Sequence, residues 1–95
     1  MTERYYIGLV HKEPDSLYGI SFPDVPGVIA AEDNVEAVMR EGAVALAFAF
    51  EDWDGPLPAP RSIDELRQDP EFVDLSGDAI IVAVRPDTSV PAAAQ

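Results

Sequence analysis

The chain begins with a period of two. Tyr5, Ile7 and Leu9 fall on one face and Tyr6, Gly8 and Val10 on the other, which predicts a strand over residues 5–10. Lys12-Glu13-Pro14-Asp15-Ser16 is a polar turn containing a proline. The alternation resumes over residues 17–22, with Tyr18, Ile20 and Phe22 on one face, so the two runs predict an antiparallel hairpin. Phe22-Pro23-Asp24-Val25-Pro26-Gly27 then forces a stiff corner. Each proline biases its predecessor toward extended geometry, and Gly27 can take a positive φ that a side chain resists. A short third strand is predicted over residues 28–32.

At Asn34 the period becomes helical. Asn34 can accept from the unpaired amides of a first helical turn, and Glu36 lies near the positive end of the helix dipole. Val35, Val38, Gly42, Leu46, Ala49 and Trp53 form one stripe, which predicts a helix reaching about Trp53 with this stripe toward the core. Gly42 on that stripe allows close approach to the sheet, at a cost of about 1 kcal/mol relative to alanine. The second half of the helix is apolar almost all round. Ala43 and Ala47 occupy the expected solvent face, and Val44 and Phe48 project away from the core stripe. A helix apolar on every side must be covered on every side, so Val44 and Phe48 are the expected contact with a second copy or a partner. The competing expectation is that the loop from Gly55 folds back over them.

Gly55-Pro56-Leu57-Pro58-Ala59-Pro60 ends the helix and is expected to run extended as polyproline II. Ser62 caps a short helix through Gln68, with Asp64 and Glu65 in its first turn. Ala79 to Val84 is a strand apolar on both faces, expected inside the sheet and parallel to a neighbour through a right-handed crossover. Pro86 stops it. The expectation is an α+β fold of three antiparallel strands, a long helix, a short helix and a fourth strand (βββααβ), forming one domain over residues 1–86 with a disordered tail over 87–95.

Composition narrows the function. The 95 residues allow one domain, and the absence of cysteine removes disulfides and thiolate metal sites. The N-terminus lacks a signal peptide pattern, and the longest apolar run, Gly42 to Phe50, is far short of the roughly 20 residues a membrane span needs. A cytoplasmic protein is expected. The net charge of −12 makes the domain a poor nucleic-acid binder and suits a basic partner. The charge is uneven: residues 51–78 hold nine acids against Arg61 and Arg67 alone. Solubility of a solvated face would account for the same charge.

Catalytic chemistry finds little support. His11 is the one histidine and no sequence feature pairs it with a nucleophile. The serines carry no elbow motif, and no glycine-rich loop cradles phosphate. Glu32-Asp33 and Glu51-Asp52-Asp54 are the close acidic clusters, and neither has calcium-loop spacing. Acids at the end of a helix oppose its dipole, which favours their retention for a partner. No metal and no cofactor are expected.

Taken together, Tyr5-Tyr6-Ile7, Leu17-Tyr18-Gly19-Ile20-Ser21-Phe22-Pro23-Asp24-Val25-Pro26-Gly27, Asn34-Val35-Glu36-Ala37 and Leu57-Pro58-Ala59-Pro60 resemble the HicB-like antitoxin domain, over about residues 4–85. The resemblance implies a partial ribonuclease-H-like fold without nuclease activity. It also implies binding and neutralisation of a small basic, HicA-like mRNA-cleaving toxin, and assembly into a homodimer or tetramer. Many members of that family continue into a ribbon-helix-helix or helix-turn-helix that binds the promoter. Here the last residues are Val90-Pro91-Ala92-Ala93-Ala94-Gln95, so DNA binding by this chain alone is not expected. The loop Ala31-Glu32-Asp33-Asn34 also departs from the family's glycine-containing turn and threonine cap, with Asn34 taking the capping role.

The expected toxin contacts are Tyr18, Phe22, Asp24, Glu51, Asp52 and Trp53: aromatic anchors with acids to match a basic surface. For Tyr18, Phe22 and Trp53 a place in the core competes with that role. Two alternatives stand beside the antitoxin. One is an orphan oligomeric binding domain of the same fold without a cognate toxin. The other is a degenerate metal-dependent nuclease drawing on Glu3, Asp24 and Asp78, which would have to converge on metal ions.

Overall fold

The computed structural model describes residues 4–12 and 17–87. Its elements are β1 (Tyr6–Lys12), β2 (Tyr18–Ser21), β3 (Ile29–Glu32), α1 (Val35–Glu51), α2 (Ile63–Leu66), α3 (Pro70–Leu75) and β4 (Ile80–Val84). The four strands form one antiparallel sheet in the order β3-β2-β1-β4. The expected α+β class and the β1–β2 hairpin are both present. Residues 13–16, where the polar turn was expected, lie outside the described residues.

Period-two alternation sorts β1 between two cores. Tyr6 and Val10 join Ile20, Phe22, Val38, Leu46 and Val84 in the larger cluster beneath α1. Leu9 faces the other way and packs with Leu66 of α2 and Phe72 of α3. The cross-strand pair Val10↔Ile20 places the β1 and β2 core faces in register.

Two glycines allow α1 to lie close to the sheet. A Cβ on Gly42 would meet Ile20 Cγ2 at 3.1 Å and Phe22 Cζ at 3.2 Å, and one on Gly8 would meet Ile20 Cδ1 and Phe22 Cε1 at 3.0 Å. Ile20 and Phe22 are thus gripped between β1 and α1. Asn34 caps α1 as expected, its side-chain oxygen accepting from the Ala37 amide at 2.8 Å. Gly27 takes φ 97°, which closes the proline corner in the left-handed region.

Several expectations are corrected. β4 is antiparallel to β1 and sits at the sheet edge, with Ile80 and Ile81 partly exposed. A parallel return would need a single crossover helix. Instead the chain passes from α1 through α2 and α3, which pack against Leu9 on the opposite face of the sheet, and enters β4 beside Val10. Helix α3 was not expected at all. It begins with Asp69 as cap, the side chain accepting from the Glu71 amide at 3.0 Å, and Pro70 in the first turn.

Helix α1 ends at Glu51 with Asp52 as its C-cap, so Trp53 lies beyond the stripe and is 37% exposed. Ala47, expected in solvent, is buried. The chain after β4 returns across that side of α1, where the Asp87 amide donates to the Ala43 carbonyl at 3.0 Å. The rest of the expected tail lies outside the described residues.

Candidate partner-binding surface

The C-terminal end of α1 is acidic and exposed. Glu51, Asp52 and Asp54 all face solvent, and no basic residue occupies the last turn to complement the dipole. Trp53 is held beside them by an edge-on contact with Phe50, 5.6 Å between ring centroids at 87°. Phe50 leans in turn on Tyr6 at 5.5 Å. The fully buried Tyr6 donates its hydroxyl proton to the Pro58 carbonyl at 2.6 Å, which ties the proline-rich segment over the aromatic series.

The other expected contacts are taken up by the fold. Phe22 is 3% exposed in the larger core. Tyr18 is half-buried against the same core, with the Lys12 ammonium 5.6 Å from its ring centre. Asp24 is clamped by Arg61: the Arg61 backbone amide donates to Oδ2 at 2.7 Å and its Nε to Oδ1 at 2.6 Å. The Asp24 side chain is 7% exposed.

Arg61 also reaches Asp69 at 3.2 Å, so one guanidinium links the proline corner to the start of α3. The hydrogen bond with Asp24, then that with Asp69, raises the Arg61 pKa above its ordinary value. The Asp69 carboxyl is lowered, chiefly by the bond from Arg61 and then by the Glu71 amide. Sequence reasoning missed Arg61: its partner lies 37 residues away, and no local pattern signals such a pair.

Along the free side of β3 runs an open groove, walled by Ile29 and Glu32 on the strand and by Glu41, Val44 and Phe48 on α1. Ile29 is 72% exposed and Phe48 55%, while Val44 is half-buried. The proline-rich segment does not line this groove; it is drawn toward Tyr6 instead. The structure thus gathers Glu51, Asp52 and Trp53 at the end of the helix that carries Val44 and Phe48, and puts Phe22 and Asp24 to structural use.

No three histidine or carboxylate side chains come together to hold a metal ion among the described residues. Glu3 lies outside them, and His11 holds the Leu75 carbonyl at 3.1 Å through Nε2. No helix among the described residues is long and apolar enough to cross a membrane.

The fold is similar to that of the Burkholderia pseudomallei antitoxin HicB, with a TM-score of 0.70 and 24% identity over 94% of this chain. This chain spans 66% of that HicB. The N-terminal domain of the same antitoxin, solved alone, matches with a TM-score of 0.68 and 23% identity, covering 87% of this chain and 98% of that one. No curated protein matches. The family model of the HicB-like antitoxin of bacterial toxin-antitoxin systems matches residues 6–92. The four-stranded sheet, its capped helix and this near-complete match place the chain in the HicB-like antitoxin family.

Proposed function

We propose that this chain neutralises a small basic mRNA-cleaving toxin of the HicA type by covering its RNA-binding and active face, in the cytoplasm and without catalysis of its own. The observation that carries the reading is the acidic end of α1, where Glu51, Asp52 and Asp54 are exposed around Trp53 on a chain of net charge −12. These acids do nothing for the helix they terminate. Opposite charge accelerates capture of a cationic protein, and an aromatic side chain at the centre supplies contact energy. Tyr18, Phe22 and Asp24 support the contact by holding the sheet and the corner in shape.

Co-expression with a small basic protein of the HicA type, sought first among the neighbouring reading frames, tests the reading. Growth arrest by that protein should be relieved, and the two should co-elute. Persistent arrest with both proteins present refutes it. A second reading draws on the exposure of Phe48: an orphan oligomeric domain of the same fold, with Val44 and Phe48 meeting their counterparts in a second copy. Sedimentation of the purified chain would then give a dimer or tetramer dispersed by Phe48→Lys.

A further inference from the structure

We infer that the groove between β3 and α1 takes an extended segment of a basic protein, which adds a strand to β3 and seats one apolar side chain against Val44 and Phe48 with a basic residue on either side. The inference deepens the antitoxin reading and rests on it. It starts from the sheet edge. Among the described residues β3 pairs with β2 alone, and its other side faces the groove. Natural edge strands are guarded by shortness, charge, proline or a bulge, and β3, four residues long with Glu32 as its charge, has the first two, the charge being one that attracts a basic strand. Val28-Ile29-Ala30-Ala31-Glu32 has no lysine and no proline. The backbone groups on its outer side, which pair with no other described strand, can template an incoming strand, the mode of peptide recognition in which the main chain gives affinity and side-chain pockets give specificity.

The charge beside that edge selects the occupant. Glu41, Val44, Phe48 and Asp52 follow one another at intervals of three and four, so they share one face of α1, with Glu51 beside Asp52. An apolar pair is therefore bracketed by acids at both ends. A second copy would fit this face badly. About a twofold axis the two helices lie either antiparallel, bringing Glu41 against Glu51 and Asp52 of the other copy, or parallel, bringing each acid against itself. Either arrangement sets like charges together at both ends of the contact, which is costly in a desolvated interface. A basic segment meets the same face with attraction throughout, and Glu32 at the end of β3 extends the acidic rim.

The spacing defines the segment. Glu41 and Asp52 stand about 16 Å apart along the helix at roughly 1.5 Å per residue. Two residues four apart on one face of an extended chain stand about 13 Å apart at roughly 3.3 Å each, and the length of two lysine side chains closes the remaining few ångström. Side chains on one face of a strand alternate, so the complementary pattern is basic, any, apolar, any, basic.

The test uses the full chain, ¹⁵N-labelled, titrated with the synthetic peptide Thr-Lys-Thr-Val-Thr-Lys-Thr and with a control bearing glutamate at both lysine positions. Saturable amide shifts confined to residues 29–32 and the 41–52 face, absent with the control, support the inference. Shifts elsewhere, or none, overturn it. Glu41→Lys then distinguishes the occupants by sign. It should weaken peptide binding about tenfold as attraction becomes repulsion, whereas in an antiparallel homodimer it would create an opposite-charge pair with Glu51 and Asp52 and tighten self-association. Tightened self-association overturns the inference. Glu51→Lys, at an exposed position where lysine suits the helix dipole, repeats the test without burden on folding. If the wild-type chain relieves toxin arrest and Phe48→Lys relieves it equally, the placement falls and the antitoxin reading stands. Groove shifts with no relief of arrest by the wild type support the placement and overturn the antitoxin reading instead.

Discussion

Replacing Asp24 with alanine should unfold this protein more readily than any change on its acidic surface. The carboxylate accepts two hydrogen bonds from one residue, the Arg61 amide at 2.7 Å and its Nε at 2.6 Å. A hydrogen bond to a charged group contributes roughly 1.5–3 kcal/mol. The backbone bond keeps that range, because alanine offers the amide no replacement. The guanidinium bond is discounted to below about 1 kcal/mol, since the Arg61 side chain is 38% exposed and water takes it back. The loss then comes to about 2–3 kcal/mol, against a total of roughly 5–14 kcal/mol for a domain of this length. At roughly 4–8 °C per kcal/mol, the melting temperature should drop by about 10–20 °C.

Arg61→Ala removes the guanidinium and keeps its own backbone amide on Asp24, so its cost should be smaller, about 1 kcal/mol or less. Urea denaturation of the two variants reads both numbers as shifts of the midpoint at unchanged slope. An Asp24→Ala chain within about 0.5 kcal/mol of the wild type, or one less affected than Arg61→Ala, would show that the corner is held by its prolines and not by this clamp.

Gly42→Ala should destabilise by about 1 kcal/mol. The helix-propensity gain of about 1 kcal/mol is outweighed by roughly 1–3 kcal/mol of crowding, because Gly8 holds Ile20 and Phe22 from the far side as well; equal or greater stability by denaturation would mean that those side chains yield. Tyr6→Phe removes the donor to the Pro58 carbonyl and should cost about 1 kcal/mol, with faster proteolysis between α1 and α2. Asp69 has a folded pKa below its ordinary 3.8. Its contribution is present above that ordinary value and is lost as the pH falls through the lower folded one, so Asp69→Asn should flatten the acid limb of stability against pH measured by urea titration.

Much of the fold was legible because it rests on local pattern. The alternation through Tyr6, Gly8 and Val10, the Asn34 cap and the close approach at Gly42 all follow from periodicities of two and 3.6. The direction of β4 was not legible, since alternation reads the same in either sense and the path of the chain through α2 and α3 decides it. Its place at the edge was hidden by Ile80 and Ile81, whose apolar character suits a central strand equally well. Helix α3 carried a usable signal in Asp69-Pro70-Glu71, a cap followed by proline and an acid in the first turn. The Asp24–Arg61 clamp carried none, for it joins two loops that meet only once the sheet and α2 are in place. For the candidate surface, exposure separates what sequence had to leave mixed: Glu51 and Asp52 stand in solvent, and Asp24 is enclosed.

β1 is a wall shared by two rooms. Its odd and even side chains belong to different clusters, one beneath α1 and one beneath α2 and α3, and neither cluster closes without it. The protein should therefore melt as a single cooperative unit, with a loss on the α3 side carried through the strand to the helix that bears the acids.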